Sequence, residues 1–268
     1  RCSLRGRMTL ACPACRTPLP PLEGDAVACP GCGTTYRRLP HGWDLTPPRE
    51  ALTPGQWEVW EQLQRNGAVS YEEDPEHNLG VGDREDVRRF SRFARLHGDV
   101  LDVGCGPQPW PSYFDVHEPG TRFVGVDPLV GEREARYERH RALAEHLPFA
   151  DDGFDVVLFA GTLDHFVDPA VALAEAVRVL RPGGTIAVYL GHKREGAPKP
   201  AVSHDWYEAL EVPEGAEDRF HMERFGPDEA TALFARAGLA VVDQEDHRVD
   251  DWRSYHFYRL APGTAAGA

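Results

Sequence analysis

From residue 99 onward, short apolar runs alternate with helical patterns, and this alternation limits the fold more than any other feature of the chain. The apolar runs predict strands at Val100–Val103, Arg122–Val126, Phe154–Ala160, Thr185–Leu190, Leu239–Asp243 and Tyr255–Leu260, with a shorter one near Ala142–Ala144. Strands that alternate with helices are typical of a parallel sheet covered on both faces. The sequence therefore predicts an α/β fold with a doubly wound sheet.

Helical spacing of apolar residues predicts helices over 53–66, 83–97, 169–180 and 227–237. The third helix is the clearest of the four, and it ends at Arg181–Gly184, where proline and glycine stop a helix. Residues 67–82 are rich in Gly, Glu and Asp, which indicates a loop that covers a ligand.

The strand Leu101–Val103 runs into the turn Gly104-Cys105-Gly106, whose glycines let the backbone approach a ligand closely. A dinucleotide-binding turn needs a third glycine at position 109 to pack a helix under a pyrophosphate, but this chain has Pro109 there. Asp127 ends the next strand, and a carboxylate at that place accepts hydrogen bonds from ribose hydroxyls. A nucleoside without phosphates, such as S-adenosylmethionine, fits this combination.

The stretch 99–190 resembles the class I S-adenosylmethionine-dependent methyltransferases. The resemblance rests on six motifs in the family's order, which are Leu101–Gly106, Val124–Asp127, Ala144–Phe149, Gly153–Val157, Leu163–His165 with Asp168–Pro169, and Arg178–Gly184. It implies a Rossmann-like sheet of seven strands with a reversed last hairpin, and S-adenosylmethionine as the cofactor. It also implies cofactor contacts at Asp102, Gly104, Cys105, Gly106, Asp127, Pro128, Ala144, Glu145, Ala160 and Gly161.

The resemblance assigns parts of the cofactor to these residues. Gly104 and Gly106 lie near the methionine portion, Asp127 binds the ribose, and Ala144 with Glu145 lies beside the adenine. The chain departs from the family at two places. Leu143 replaces an acidic residue that often accepts a bond from the adenine amino group, and Pro107–Pro111 replaces the usual Thr-Gly or Ser-Gly after the glycine turn, with Trp110 as a candidate to shape the site.

Two Cys-x-x-Cys pairs, Cys12 with Cys15 and Cys29 with Cys32, lie before the sheet with thirteen residues between them. Four thiolates at this spacing can surround one zinc ion tetrahedrally. We therefore predict a zinc ribbon over 8–46 and a methyltransferase domain over 51–262. Similar N-terminal ribbons occur in guanine-N1 ribosomal RNA methyltransferases, so the ribbon has two open roles: a structural staple, or a surface that also contacts the substrate.

Methyl transfer from a sulfonium mainly requires alignment of the acceptor with the methyl carbon, and a base where the acceptor carries a proton. His165, just after the fourth strand, is the first candidate base; His204 and His221 are the alternatives. The plainer interpretation of His165 is packing at the start of the next helix. Asp164, His165 and Asp168 could suggest a metal site, but their spacing around a helix start favours capping.

Residues 191–226 follow the fifth strand and are predicted to form the substrate side of the domain. They contain cationic and aromatic residues that suit an anionic or planar acceptor, although the same residues would serve equally well in a solvated loop.

Charge separates the candidate functions. The first 50 residues hold seven arginines and four acidic residues, a net charge of +3. The whole chain has a net charge of −14, so residues 51–268 carry −17. An acidic domain repels a phosphodiester backbone. The favoured function is therefore methylation of an oxygen or nitrogen of a small metabolite or natural-product intermediate, with no nucleic-acid partner.

Two alternatives stay open: a ribosomal or transfer RNA base methyltransferase guided by the ribbon, and a cofactor-binding or partner-docking protein without turnover. No apolar run approaches the roughly 18–20 residues that span a bilayer. No apolar stretch follows the basic residues Arg1–Arg7, as a secretory signal would require. These features favour a cytoplasmic protein without membrane association, whose paired cysteines bind metal. The oligomeric state is left open.

Overall fold

A computed structural model of the chain describes residues 8–76, 84–194, 196–197 and 204–263. Near the N-terminus, β1 (Ala26–Ala28), β2 (Thr35–Leu39) and β3 (Gly42–Asp44) form an antiparallel three-stranded sheet. The ribbon sequence predicts short extended pieces around Val27-Ala28 and Thr34–Tyr36, and the first two strands lie there. The third, which the sequence analysis did not predict, carries the buried Trp43.

The second sheet has seven strands: β4 (Asp99–Val103), β5 (Arg122–Val126), β6 (Glu138–His140), β7 (Phe154–Ala160), β8 (Leu180–Lys193), β9 (Leu239–Arg248) and β10 (Arg253–Pro262). Their order across the sheet is β6-β5-β4-β7-β8-β10-β9. The first five are parallel to one another, and β10 runs antiparallel to both of its neighbours. The predicted seven-stranded Rossmann-like sheet with a reversed last hairpin is confirmed.

The helices are α1 (Trp57–Glu73), α2 (Glu85–Phe93), α3 (Pro169–Val179), α4 (Asp205–Glu208) and α5 (Pro227–Arg236). Short 3₁₀ turns lie at Arg49–Ala51, Ser112–Phe114 and Leu163–His165. None of the helices in the described part of the chain is both long and apolar enough to cross a bilayer.

Both faces of the large sheet are covered. Val156 and Leu158 of β7 pack with Phe90 of α2 in one apolar cluster, whereas Val157 and Phe159 pack with α3 and α5 in the other. Alternate residues of one strand therefore bury on opposite faces, as a doubly wound sheet requires.

The first helix is longer than predicted, and the loop assigned to residues 67–82 is wrong for its first part. The helix continues through Gly67 to Glu73, while residues 77–82 lie outside the described part of the chain. Asn66 explains the continuation, because its side-chain amide donates to the carbonyls of Glu211 and Arg219 at 2.9 and 2.7 Å. These contacts across the fold offset the low helix propensity of glycine.

Two further boundaries differ from the prediction. The second helix ends at Phe93 rather than 97, since Arg95 takes a positive φ of 52°. The short strand expected near Ala142–Ala144 lies instead at Glu138–His140, where it pairs with β5. After it, the backbone of Arg141 turns to the N-terminal sheet: its N–H donates to Trp43 and its carbonyl accepts from Leu45, both at 2.8 Å. Residues 142–144 are thus left as a buried turn.

The N-terminal sheet is continuous with the rest of the molecule. Besides the bonds at Arg141, the N–H of Ala11 donates to Pro148 at 3.0 Å and the N–H of Ala150 donates to Thr9 at 2.9 Å. The buried side chains of Tyr36 and Leu45 belong to the same apolar cluster as the strands of the large sheet. The ribbon region and the large sheet therefore share one core.

Glu175 of α3 fastens this junction. Its side chain is 7% exposed, and it accepts two 2.6 Å bonds from the guanidinium of Arg16 in the ribbon region. It also accepts from Arg178 at 2.8 Å and from the N–H of Leu147 at 3.0 Å. Burial alone would raise the pKa of Glu175, but the bonds from Arg178 and Arg16 lower it below its ordinary value, so the carboxylate is ionised.

The Glu175→Gln variant tests the importance of this carboxylate. Glutamine keeps the shape but removes the charge and one acceptor, leaving Arg16 and Arg178 without their buried partner. We expect the free energy of unfolding in urea to fall by about 3 kcal/mol, as for the loss of one member of a buried ion pair. The control is Glu118→Gln on an exposed turn. Equal losses in the two variants would contradict a structural role for Glu175.

Candidate functional site

A cavity of about 1030 Å³ opens at the carboxyl ends of β4, β5 and β7. Parallel α/β sheets bind their ligands at this edge, where the strand order reverses. Nine of the ten cofactor residues expected from the sequence line the cavity, namely Gly104, Cys105, Gly106, Asp127, Pro128, Ala144, Glu145, Ala160 and Gly161. The structure thus brings together residues from three separate motifs of the sequence and from the end of β7.

The glycine turn is shaped by its positive φ angles, 78° at Gly104 and 64° at Gly106. A Cβ added at Gly104 would lie 2.7 Å from the Cβ of Thr162, a residue that also lines the cavity. Glycine is thus required there both by conformation and by space. Cys105 between them is buried against Gly125, and burial raises the pKa of its thiol, which fits a small apolar filler rather than a nucleophile.

Asp127 joins the ends of two neighbouring strands. Its Oδ2 accepts from the N–H of Gly106 at 3.0 Å, and its Oδ1 accepts from the N–H of Leu129 at 2.7 Å. Burial raises the pKa of Asp127, although the two backbone donors oppose the shift. A carboxylate oxygen has two acceptor sites, so each oxygen keeps one for a ligand hydroxyl.

Arg139, which no motif of the sequence indicates, holds the chain after the glycine turn. Its guanidinium donates to the carbonyls of Gly106 and Gln108 at 3.0 and 2.9 Å. Trp110, a candidate from the sequence for shaping the site, packs instead on Phe114 and Phe123 and does not line the cavity. The unusual sequence after Gly106 is therefore fixed by an arginine from β6.

Asp102 is the one expected cofactor residue that does not line the cavity. It is fully buried behind the turn, where its Oδ2 accepts from the Tyr113 hydroxyl at 2.7 Å. Its Oδ1 has no hydrogen-bond partner among the described residues. Burial raises the pKa of Asp102 to about 7, in spite of the bond from Tyr113.

Glu145 lines the cavity, but one of its oxygens also organises the start of α3. Oε1 accepts from the N–H groups of Val167 and Asp168 at 2.8 and 3.1 Å. The carboxylate of Asp168 in turn accepts from Ala170 and Val171 at 3.0 and 3.1 Å, so Asp168 caps the helix as the sequence predicts.

One face of α1 forms a wall that sequence reasoning missed. The cavity residues of this helix and its end are Trp60, Leu63, Gln64, Gly67, Ser70, Tyr71 and Asp74. Tyr71 lies closest to the glycine turn, since a Cβ at Gly106 would come within 3.3 Å of its hydroxyl. Burial and the nearby Asp127 raise the pKa of Tyr71. The positions recur every three or four residues, which is the signal that could have extended the predicted helix.

The structure brings two of the three candidate bases together. His165 and His221 have ring centroids 4.2 Å apart. Nδ1 of His165 donates to the Phe220 carbonyl at 2.9 Å, and Nδ1 of His221 lies 2.7 Å from an Asp218 oxygen. Desolvation lowers the pKa of His165 below its ordinary value, despite the nearby Asp164. His204 also lines the cavity but lies apart from this pair, stacked on Trp206 and exposed.

The four ribbon cysteines converge, with all four sulfurs within 4.8 Å of one another. Sγ of Cys12 lies 3.7 Å from that of Cys32, and Sγ of Cys15 lies 3.5 Å from that of Cys29. Zinc–sulfur bonds of about 2.3 Å place the corners of a tetrahedron about 3.8 Å apart, so the donor set fits zinc. Hydrogen bonding to Thr17 lowers the pKa of Cys15, whereas burial raises the pKa of Cys12, so the fit to zinc is carried by the sulfur distances.

The sequence is similar to those of known methyltransferases. Residues 101–188 match the family described as a methyltransferase domain. An O-methyltransferase of Aspergillus nomiae is 28% identical over 206 residues, which cover 70% of this chain and 87% of that protein. Residues 101–188, which include all or part of five strands of the large sheet, therefore form a methyltransferase domain.

One further relative and one solved structure are similar to this chain. A phthiotriol/phenolphthiotriol dimycocerosates methyltransferase of Mycobacterium ulcerans is 33% identical over 154 residues, which span 48% of this chain and 57% of that protein. The solved structure of the 1,6-didemethyltoxoflavin-N1-methyltransferase of Burkholderia thailandensis aligns with 88% of this chain and 99% of its own, at a TM-score of 0.53 and 19% identity. This likeness concerns the fold.

The requirement for glycine at position 104 gives a direct test of the cavity as a cofactor site. Gly104→Ala and Gly120→Ala both place alanine at a positive φ near 80°. The new Cβ at position 104 would clash with Thr162, whereas the one at position 120 would have no atom within 4 Å. Both variants should lose roughly 1 kcal/mol or more of stability. Gly104→Ala alone should weaken the binding of S-adenosylhomocysteine, by at least about tenfold or 1.4 kcal/mol, in titration calorimetry. Equal affinity in both variants would place the cofactor elsewhere.

Proposed function

We propose that this protein transfers the methyl group of S-adenosylmethionine to an oxygen or nitrogen of a small molecule. The observation that carries the proposal is that nine of the ten expected cofactor residues and the His165–His221 pair line one cavity. Its volume of about 1030 Å³ is at the upper end of the ~300–1,000 Å³ of a pocket for one drug-sized ligand. A methyltransferase must hold a cofactor and an acceptor at the same time, and a cavity of this size has room for both.

In the proposed arrangement, the methionine part of the cofactor lies against Gly104 and Gly106. The ribose hydroxyls donate to the carboxylate of Asp127, and the adenine lies beside Ala144 and Glu145. Asp127 supports this assignment, because its backbone bonds fix the carboxylate and leave acceptor sites on both oxygens.

The reaction is an in-line displacement. S-adenosylmethionine, when bound, would supply an electrophilic methyl carbon to a lone pair of the acceptor atom, and its sulfur would keep the electron pair of the broken carbon–sulfur bond as a neutral thioether. An acceptor hydroxyl would also lose its proton, and an ammonium would lose its proton before its lone pair can attack. His165, His221 and His204 are the proposed bases that take this proton. In His165 and His221, Nδ1 holds the ring hydrogen, so the lone pair of Nε2 is available.

The acceptor is proposed to lie against residues of the segment 191–226. Trp206, Tyr207 and Phe220 supply aromatic surface to the cavity, and Lys193 and Arg219 supply positive charge. The guanidinium of Arg219 lies 4.6 Å from the centre of the Tyr207 ring. A planar or anionic acceptor suits such a wall. The Aspergillus O-methyltransferase and the Burkholderia N1-methyltransferase, by their names, methylate oxygen and nitrogen respectively, which supports either atom here.

A transfer assay tests this function against its two alternatives. The protein is incubated with methyl-labelled cofactor and either a small-metabolite extract or total RNA, and label is expected in the small-molecule fraction. Asp127→Asn should weaken cofactor binding by roughly 10- to 100-fold, the effect of losing a hydrogen bond to a charged group. Asp152→Asn on an exposed turn is the matched control. Label in RNA, or no label in either fraction, would contradict the proposed acceptor class.

We further propose that Cys12, Cys15, Cys29 and Cys32 bind one structural zinc ion in a ribbon over 8–46, beside a catalytic region over 51–262. Reduced thiols, as in the cytoplasm, are needed for this site. Tyr36 supports the assignment: its hydroxyl lies 3.0 Å from the Cys12 sulfur, and the ring is buried in the core that the ribbon shares with the sheet.

Metal analysis tests the ribbon. The protein should retain one tightly held zinc through dialysis against a weak chelator, and Cys29→Ser should lose that zinc and unfold at a lower temperature, since a small module depends on its metal. Cys105→Ala, at a cysteine outside the ribbon, should retain the zinc. Loss of zinc from both variants or from neither would contradict the assignment.

A further inference from the structure

A second group of metal-ligating side chains lies in the cavity wall, away from the ribbon. Asp164, His165 and His221 each offer one ligand atom, and these three atoms lie within 4.8 Å of one another. Asp164 and His165 belong to the 3₁₀ turn after β7, whereas His221 comes from the segment 56 residues later. The spacing of Asp164, His165 and Asp168 in the sequence gave no sign of this group, because its third member is distant along the chain.

The two imidazoles are oriented as metal ligands are. Each directs Nδ1 to an acceptor, the Phe220 carbonyl for His165 and the Asp218 carboxylate for His221. Metal-binding histidines almost always donate their second ring N–H in this way, which fixes the tautomer and leaves the other nitrogen for the ion. In both rings, Nε2 is therefore the nitrogen available for the metal. An ion bound there would occupy the lone pairs of His165 and His221, so His204 is the candidate base that remains in the metal-loaded protein.

The carboxylate of Asp164 lies between these two nitrogens. Its Oδ1 is 3.8 Å from Nε2 of His165, and its Oδ2 is 3.9 Å from Nε2 of His221. Ligand atoms around a tetrahedral zinc ion are about 3.3–3.5 Å apart. The three side chains thus need only small movements to bind one ion.

Backbone bonds hold the two parts of the group together. The N–H groups of Met222 and Glu223 donate to the carbonyl of Asp164 at 3.1 and 3.3 Å. The carboxylate of Asp218 accepts from the N–H of His221 at 3.0 Å as well as from its ring. The segment that carries His221 is therefore fastened directly to the turn that carries Asp164.

Arg224 is the nearest alternative cation. Its guanidinium lies 3.5 Å from Oδ2 of Asp164, but its closer partner is Asp218, at 2.9 Å, and its side chain is 47% exposed. The carboxylate of Asp164 is 8% exposed. A long contact from a half-exposed arginine leaves this buried carboxylate able to bind an ion.

We propose that Asp164, His165 and His221 bind one divalent transition-metal ion at the acceptor end of the cavity. Two imidazoles and one carboxylate favour zinc, iron, cobalt or nickel over magnesium and calcium, which prefer oxygen ligands. Three protein ligands leave coordination positions open, and His165 and His221 line the cavity, so those positions face the ligand space. The proposal rests on the proposed function for its ligand class, an acceptor with an oxygen that can coordinate the ion.

Cobalt(II) binding tests the site without reference to methyl transfer. Tag-free protein with its ribbon loaded with zinc is titrated with cobalt(II) in a calorimeter, in the absence of cofactor, and one further equivalent is expected to bind. His221→Ala and Asp164→Asn should each weaken that equivalent by at least about tenfold, since even partners that only orient a ligand contribute 10- to 100-fold. Asp164→Asn keeps the shape of its side chain, so it remains informative if His221→Ala folds poorly.

His41→Ala, on an exposed turn of the ribbon region, is the matched control and should keep the full affinity. No second equivalent up to millimolar cobalt(II), or equal affinity in both site variants and the control, would overturn the site. Binding of S-adenosylhomocysteine to the same samples is measured separately. A protein that binds cofactor without cobalt(II) contradicts only the metal site, whereas one that binds cobalt(II) without cofactor contradicts only the proposed function.

Discussion

The carboxylate of Asp127 is the constraint on which the site depends. It accepts from backbone N–H groups at Gly106 and Leu129, and so fixes the turn after β4 relative to the turn after β5. The positive φ angles of the glycine turn and the bonds from Arg139 act on the same few residues. In the proposed function, this rigid, nearly buried acceptor at the switch point of the sheet gives the nucleoside part of the cofactor a fixed place.

The N-terminal region supports this cavity from outside. Its third strand pairs with Arg141, next to the buried turn 142–144, and Ala142, Leu143 and Ala144 line the cavity. Arg16 binds Glu175, which also accepts from the N–H of Leu147 at the end of the same stretch. The proposed zinc ion would therefore stabilise one wall of the cofactor site through backbone pairing and a buried ion pair, with no need for the ribbon to touch a substrate.

Local patterns in the sequence predicted the glycine turn and six of the seven strands of the large sheet, because short apolar runs and a Gly-x-Gly sequence depend on residues that are close along the chain. They failed where distant residues decide the structure. The first helix extends beyond Gly67 because Asn66 bonds to Glu211 and Arg219, about 150 positions later, and no local signal contains that contact. For the same reason, the sequence indicated His165 as a candidate base but could not show that His221 lies beside it and Asp164, because His221 is distant along the chain.

The most direct measurement of the central claim is a crystal structure of the protein with S-adenosylhomocysteine. The account predicts that the ribose hydroxyls lie within hydrogen-bond distance of Asp127, with the thioether sulfur directed towards the part of the cavity formed by His165 and His221. Ligand density elsewhere in the molecule, or a ribose that does not contact residue 127, would contradict the account.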